Sequence, residues 1–396
     1  VFSWAGAATI GCMGTGIYAT NGPEGVAYVV DHAKAKIVIA EDEKQLAKFR
    51  KVDKSLLKSV KAFVVYSPNE LETDPVHGIP AYTWSGFMEL GAKTSQEAVE
   101  VKRGAVVPGQ CCSLIYTSGT TGNPKAVMIS HDSCTWTAKV AFEDVFGLGR
   151  EEHVVSYLPL SHIAAQLMDI ISPMVNEVTV HFARPDALKG SLKGTLQECQ
   201  PTVFFGVPRV WEKQHSMVTI KLKEGTVFGR WAYDLALRVG SEAARSRKDG
   251  IKPGAILSLA NKVLDLLVLK NIRILLGIDK CRWLSTAAAP IAPELIDWFW
   301  ALGKPMYEVY GQTECTGIAT ANIPGANRIG SVGRANSGVE VAVSKQQEIL
   351  IKGPGVIQGY WNKPEKTAET FVDGWLHTGD VGKIDTDGYI YIVDHM

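Results

Sequence analysis

Between residues 23 and 66 the spacing of apolar positions switches between a period near 3.6 and a period near 2. Apolar residues at helical spacing over 23–33, opened by Pro23, give way to the β-prone run Lys36-Ile37-Val38-Ile39-Ala40. A helical stretch over 43–49 is followed by Lys61-Ala62-Phe63-Val64-Val65-Tyr66. Such alternation predicts βαβ units on a parallel sheet. The rhythm resumes after residue 125, with helices predicted over 130–146 and 164–175 and strands over 154–158, 178–182 and 202–206. These predict a second parallel sheet. From residue 329 the pattern changes to short strands and turns, at 339–343, 348–352 and 389–393. The expected fold is therefore α/β: two parallel-rich sheets flanked by helices over 1–327, and a small β-rich subdomain over 328–396.

Two stretches break the pattern. Residues 1–22 carry no charge, yet glycines interrupt them and no basic segment precedes them, so they predict a buried helix and strand and not a membrane span. Val1 is not an initiator methionine and the chain starts inside an apolar pattern, from which a missing N-terminal portion is expected. Residues 214–280 hold twelve Lys/Arg against six Asp/Glu, and 255–269 carry an apolar stripe at helical spacing. A basic amphipathic surface of this kind suits anionic lipid headgroups; a solvated helical face packed on a sheet has the same pattern.

The chain has 396 residues, 46% of them hydrophobic, with 41 basic against 41 acidic side chains. The length allows more than one structural unit, and the balanced charge offers no field to recruit nucleic acid, which directs attention to small-molecule partners. Seven scattered cysteines lack zinc-like spacing, as expected of reduced thiols in a cytoplasmic environment. Among them Cys315 reads as a small buried residue and not as a nucleophile.

The densest chemistry lies in Tyr116-Thr117-Ser118-Gly119-Thr120-Thr121-Gly122-Asn123-Pro124-Lys125, between the apolar run ending at Ile115 and the β-rich Ala126-Val127-Met128-Ile129. Strand, Gly/Ser/Thr turn and strand is the predicted form. Glycines let backbone N–H groups approach an anion, hydroxyls add donors, and Lys125 adds a point charge. A polyphosphate suits such a loop. It is not a Walker A loop, because Pro124 separates the second glycine from the lysine and no helix follows. A hydroxyl-rich hairpin turn explains the same residues.

Further signals lie downstream. Leu158-Pro159-Leu160-Ser161-His162 ends a predicted strand, where ligands collect in open α/β sheets. The apolar segment over 202–213 contains Gly206 and Trp211, and Leu284-Ser285-Thr286-Ala287-Ala288-Ala289-Pro290 is a run of small residues that lets a flat ring or chain lie against backbone. In Tyr307-Glu308-Val309-Tyr310-Gly311-Gln312-Thr313-Glu314-Cys315, Tyr310 can stack on a purine, Thr313 can donate to a phosphate, and Glu314 is a hard oxygen ligand suited to magnesium. In Leu376-His377-Thr378-Gly379-Asp380, the aspartate can accept both hydroxyls of a ribose.

In order and separation these segments resemble the AMP-forming acyl-CoA synthetases of the adenylate-forming superfamily, most closely the bubblegum-type long-chain members. The resemblance covers most of the chain. It implies that Thr117, Ser118, Gly119, Thr120, Thr121, Gly122, Asn123, Pro124 and Lys125 hold phosphates. Tyr310, Gly311, Gln312 and Asp380 are implied to hold adenosine, with Thr313 and Glu314 serving the α-phosphate and Mg2+. His162 is implied to border the acyl carboxylate, Gly206 and Trp211 to line the acyl tunnel, and Ala287 and Ala288 to contact adenine and substrate. The activity implied is formation of acyl-CoA from a long-chain fatty acid, ATP and CoA through an acyl-adenylate, in the cytoplasm or peripherally on an intracellular membrane such as the endoplasmic reticulum. The family's usual Asp-Arg pair at the end of this region is Asp394-His395 here, so His395 takes the place of a ribose-contacting arginine. The small domain that ordinarily follows, with its catalytic lysine, is not in the sequence, and low turnover is expected of this chain by itself. An enzyme activating another carboxylic acid, or a weakly catalytic nucleotide- or lipid-binding relative, fits the same motifs.

Overall fold

The computed structural model describes residues 1–67, 74–117, 122–248 and 253–395. They divide into two compact units, one comprising Val1–Asp132, Pro159–His162 and Ile357–Thr367, the other Ser133–Leu158, Ile163–Val356 and Ala368–Met396.

In the first unit, strands Ile37–Ala40, Ala62–Val65 and Ala81–Thr83 form a parallel sheet. Helix Pro23–His32 starts on a proline, whose fixed φ suits a first helical turn. It buries Val26, Ala27, Val29 and Val30. Helix Glu43–Arg50 begins where the Asp42 carboxylate accepts the Gln45 N–H at 2.9 Å, satisfying one of the donors that a helix leaves open. Val30, Leu46, Phe49, Leu57 and Phe63 share one core, with the Phe49 and Phe63 rings 5.3 Å apart. A second sheet pairs Gly14–Thr15 in parallel with Cys111–Thr117, which pairs antiparallel with Lys125–Ser130. Residues 1–22 contain a helix, Phe2–Thr9, and that short strand, but the helix is not buried as expected: Ala8 alone is buried and Phe2 is exposed. Its apolar residues fall all round the helix and make no single face to bury.

The second unit is built on Val203–Gly206, Trp283–Thr286 and Met306–Tyr310, three parallel strands extended antiparallel by Thr320–Ala321 and Arg334–Ala335. Gly206, Thr286 and Glu308 are in register, so Gly206, Ala287 and Tyr310 come to the carboxyl edge of one sheet. A parallel pair, His153–Ser156 with Thr179–Phe182, stands apart. The parallel-rich α/β character is as expected, while the strands divide among more sheets than two because several pair only locally. Toward the C-terminus Glu340–Val343, Glu348–Lys352, Phe371–Val372, Trp375–Ile384 and Ile390–His395 make an antiparallel sheet. Its Ile349, Ile351, Leu376 and Ile390 pack with Cys315 and Ala319. That core fixes the strand bearing Asp380 against the turn that follows Tyr310.

Candidate functional site

In the first unit, register places Thr117 opposite Lys125, so these two residues close the mouth of the hydroxyl-rich loop. Ser118, Gly119, Thr120 and Thr121 lie outside the described residues. The Thr117 Oγ1 is buried and has no hydrogen-bond partner among the described residues, which suits it to an incoming acceptor. Gly122 has φ +91°, a conformation that penalises a Cβ. Asn123 is exposed, and Pro124 and Lys125 are half-buried.

Two tyrosines that the sequence reading missed hold the end of the loop. The Tyr28 hydroxyl donates to the Pro124 carbonyl at 2.9 Å. The Lys125 ammonium donates to the Tyr360 hydroxyl at 3.3 Å and lies 4.6 Å from the centre of that ring, within cation–π range. Tyr360 is delivered by pairing on the far edge of strand Lys125–Ser130, where the Trp361 N–H donates to the Ala126 carbonyl at 2.9 Å. Nothing local signals either tyrosine: the contacts span 96 and 235 residues. His162 is half-buried and burial lowers its pKa, which keeps the imidazole neutral at neutral pH. Its backbone N–H donates to the Pro159 carbonyl at 3.0 Å.

In the second unit the structure brings Tyr310, Gln312, Asp380 and His395 together. The Tyr310 hydroxyl donates to Asp380 Oδ2 at 2.5 Å, and Gln312 Nε2 donates to the same oxygen and to the Thr378 carbonyl, each at 2.8 Å. His395 Nδ1 lies 2.6 Å from Asp380 Oδ1. Burial, reinforced by the Asp380 charge, pushes the Tyr310 phenol far above its usual range, so it remains a donor. Oδ2 accepts from both Tyr310 and Gln312, so the acceptor capacity left on this carboxylate lies on Oδ1, which His395 shares. Gln312 thus braces the carboxylate, and His395, exposed at the end of its strand, rests on Asp380 itself.

The turn between Tyr310 and Gly317 is tightly held. A Cβ on Gly311 would fall 2.7 Å from the Gly317 carbonyl oxygen and 2.8 Å from Ile318 Cα. Thr313 is buried, Glu314 is half-buried, and both lie on the 3-10 turn Thr313–Cys315. Burial pushes the Cys315 thiol up to about 12, which leaves it protonated and unsuited to nucleophilic work. Thr316 takes a left-handed conformation and donates through Oγ1 to the Gly355 carbonyl at 2.6 Å.

Beside the parallel strands is an apolar cavity whose lining includes Val154, Tyr157, Met168, Phe204 and Phe205, together with one carboxyl, Asp169. Burial raises Asp169 to about 7, and Ser156 Oγ donates to it at 2.7 Å. Asp169 was missed, although a single acid inside Leu167-Met168-Asp169-Ile170-Ile171 is a legible signal. Gly206 and Trp211 are next to this region but not in the cavity lining. Trp211 is fully buried between Phe204 and Phe299, its indole N–H donates to the Gly206 carbonyl at 2.8 Å, and a Cβ on Gly206 would meet that ring at 2.7 Å. Ala287 is half-buried at the end of its strand, and Ala288 is exposed with φ +74°, a left-handed conformation that alanine rarely adopts.

The chain is similar over almost its whole length to long-chain-fatty-acid–CoA ligase ACSBG2 of Xenopus laevis, at 42% identity covering 99% of this chain and 53% of the relative. It is 38% identical to long-chain-fatty-acid–CoA ligase ACSBG1 of Bos taurus, covering 100% of this chain and 54% of the relative. The chain spans about half the length of the curated relatives it matches. Among solved structures, an anthranilate CoA ligase AuaEII in complex with anthranoyl-AMP superposes with a TM-score of 0.69 at 21% identity, over 99% of this chain and 65% of that one. The N-terminal domain of FACL13 from Mycobacterium tuberculosis superposes with a TM-score of 0.64 at 20% identity, over 99% of this chain and 82% of that one. These superpositions establish the adenylate-forming fold. The AMP-binding enzyme family profile matches residues 1–361, and the chain belongs to that family.

Proposed function

We propose that this chain binds ATP and a long-chain fatty acid and joins them as an acyl-adenylate, the first half of an AMP-forming fatty-acid–CoA ligase reaction that CoA completes. The observation that carries this reading is the Tyr310–Gln312–Asp380 cluster at the carboxyl edge of a parallel sheet, the place where open α/β folds hold nucleotides. The names of the relatives support the fatty acid as the carboxylate.

In this reading Asp380, oriented by Tyr310 and Gln312, accepts the ribose hydroxyls through Oδ1, one of them in the place that His395 occupies. The Tyr310 ring faces the purine. In the first unit, taken by itself, the Thr117 hydroxyl and Lys125 ammonium suit phosphate oxygens. Thr313 donates toward the α-phosphate. The neutral His162 orients the acyl carboxylate and moves no proton. Among the described residues no trio of His, Cys, Asp or Glu converges as a metal cage. Magnesium bridging nucleotide phosphates ordinarily takes only one or two carboxylates from protein, so the donor chemistry fits Glu314 as its ligand. When bound, the ion neutralises phosphate charge.

The fatty carboxylate oxygen then attacks the α-phosphorus and pyrophosphate leaves, a step governed by positioning and electrostatics. ATP–pyrophosphate exchange tests this, with palmitate, benzoate and amino acids offered to the complete protein. Exchange dependent on palmitate is the expected result. Exchange dependent on benzoate or an amino acid, or none with any acid, contradicts it.

A further inference from the structure

Residues 255–276 form one continuous helical run, Ala255–Leu264, Asp265–Leu269 and Lys270–Leu276. Its inner face is ordinary: Leu269, Arg273 and Leu276 are buried, and Arg273 is tied to Asp265 and Asp279. The outer face is not. Ile256 is 88% exposed, Leu259 65%, and Leu266 and Leu267 64% each, with Val263 and Ile274 also exposed. Positions 256, 259, 263, 266/267, 270 and 274 recur at helical spacing, so these side chains make one stripe along the run. A helix apolar on both faces has a second surface that water disfavours. By area, each large apolar side chain left exposed forgoes roughly 1.5–3 kcal/mol.

Charge indicates what covers the stripe. Lys262 and Lys270 are exposed along it, and the sole carboxylate within 255–276, Asp265, is paired with Arg273. Nothing acidic on the run repels an anionic surface. A twofold contact between copies would instead bring lysines together without a carboxylate on the run to answer them. No helix of the described residues is long and apolar enough to cross a membrane, so the run suits lying in the headgroup layer with its apolar face down. The neighbouring helix Val227–Lys248 adds exposed Phe228 and Trp231, rings 5.8 Å apart, and aromatic side chains favour that interface.

We propose that the outer face of residues 255–276 docks the protein on an anionic lipid bilayer. This surface owes nothing to the nucleotide chemistry, so either reading can fail without the other.

Sedimentation of the 396-residue chain with vesicles tests it. The chain is expected to pellet with mixed phosphatidylcholine and phosphatidylserine vesicles, far less with phosphatidylcholine alone, and less as salt rises. Replacing Leu259 and Leu266 by Glu lowers partitioning at least about tenfold. Replacing Lys262 and Lys270 by Glu removes the preference for phosphatidylserine. Both variants should unfold at the parent temperature, because the stripe faces outward; if the first does not fold, Ile256→Ser with Leu267→Ser takes its place. No pelleting, or equal pelleting of parent and variants, overturns the proposal. So does a parent dimer by light scattering that the stripe variants turn into monomer, which would make this face an interface between copies.

Discussion

At the scale of single residues, the site depends on side chains that hold other side chains. Asp380 has an ordinary carboxylate's chemistry, but Tyr310, Gln312 and His395 fix its direction, so less ordering is left for a ligand to impose. Lys125 is treated similarly by Tyr360. Tyr360→Leu removes both the hydroxyl contact and the ring, and should weaken ATP binding by about threefold to tenfold, on roughly 1 kcal/mol for a cation–π contact. Tyr360→Phe, which keeps the ring, should lose less. Calorimetric titration with ATP separates the two, and equal losses would show that the ring does not position the lysine. The motif residues themselves were legible in sequence, because Gly311, Asp380 and Lys125 sit in short runs of unusual composition. Their supports were not. Tyr28, within helix Pro23–His32, and Tyr360, in an isolated bridge, look like any tyrosine until folding closes gaps of 96 and 235 residues.

At the scale of elements, the two periodicities identified most helices and strands, since each buried face must repeat at the period of its own backbone. Pro23–His32, Ile37–Ala40, Glu43–Arg50 and Ala62–Val65 lie within a residue or so of their expected places. Periodicity does not reveal which way a stripe faces. The run after Ala255 reads as amphipathic in sequence, yet its long apolar stripe faces outward. Nor does sequence reveal the π-helical turns Ala138–Val145 and Leu167–Ile171, which depend on packing and often accompany functional sites. The turn after Tyr310 gives the sharpest test at this scale. Gly311→Ala would drive a Cβ into the backbone of Gly317 and Ile318, which has no flexible end to give. A loss of roughly 1–3 kcal/mol in unfolding free energy is expected, along with weaker ATP binding as Tyr310 moves. An unchanged melting temperature would contradict that geometry.

At the scale of the whole molecule, one buried acid, Asp169, and one half-buried acid, Glu308, should shape stability against pH. Burial raises Asp169 from 3.8 to about 7 and Glu308 from 4.5 to about 7. In the unfolded chain both ionise near their ordinary values, so between those values and about 7 the folded state binds more protons. Stability therefore falls as pH rises through this window, with the full favourable contribution present below the unfolded pKa. Asp169→Asn should flatten the fall, by roughly a few kcal/mol across the window; an unchanged slope in denaturant titrations at several pH values would show that Asp169 ionises freely. The central claim is that nucleotide binding needs Lys125 in the first unit, for phosphate, and Asp380 in the second, for ribose. The most direct measurement is calorimetric titration of ATP and of adenosine into the parent chain, Lys125→Ala and Asp380→Ala. Lys125→Ala should weaken ATP about tenfold or more and leave adenosine nearly unchanged, while Asp380→Ala weakens both by a similar factor. ATP affinity indifferent to both substitutions would contradict the account.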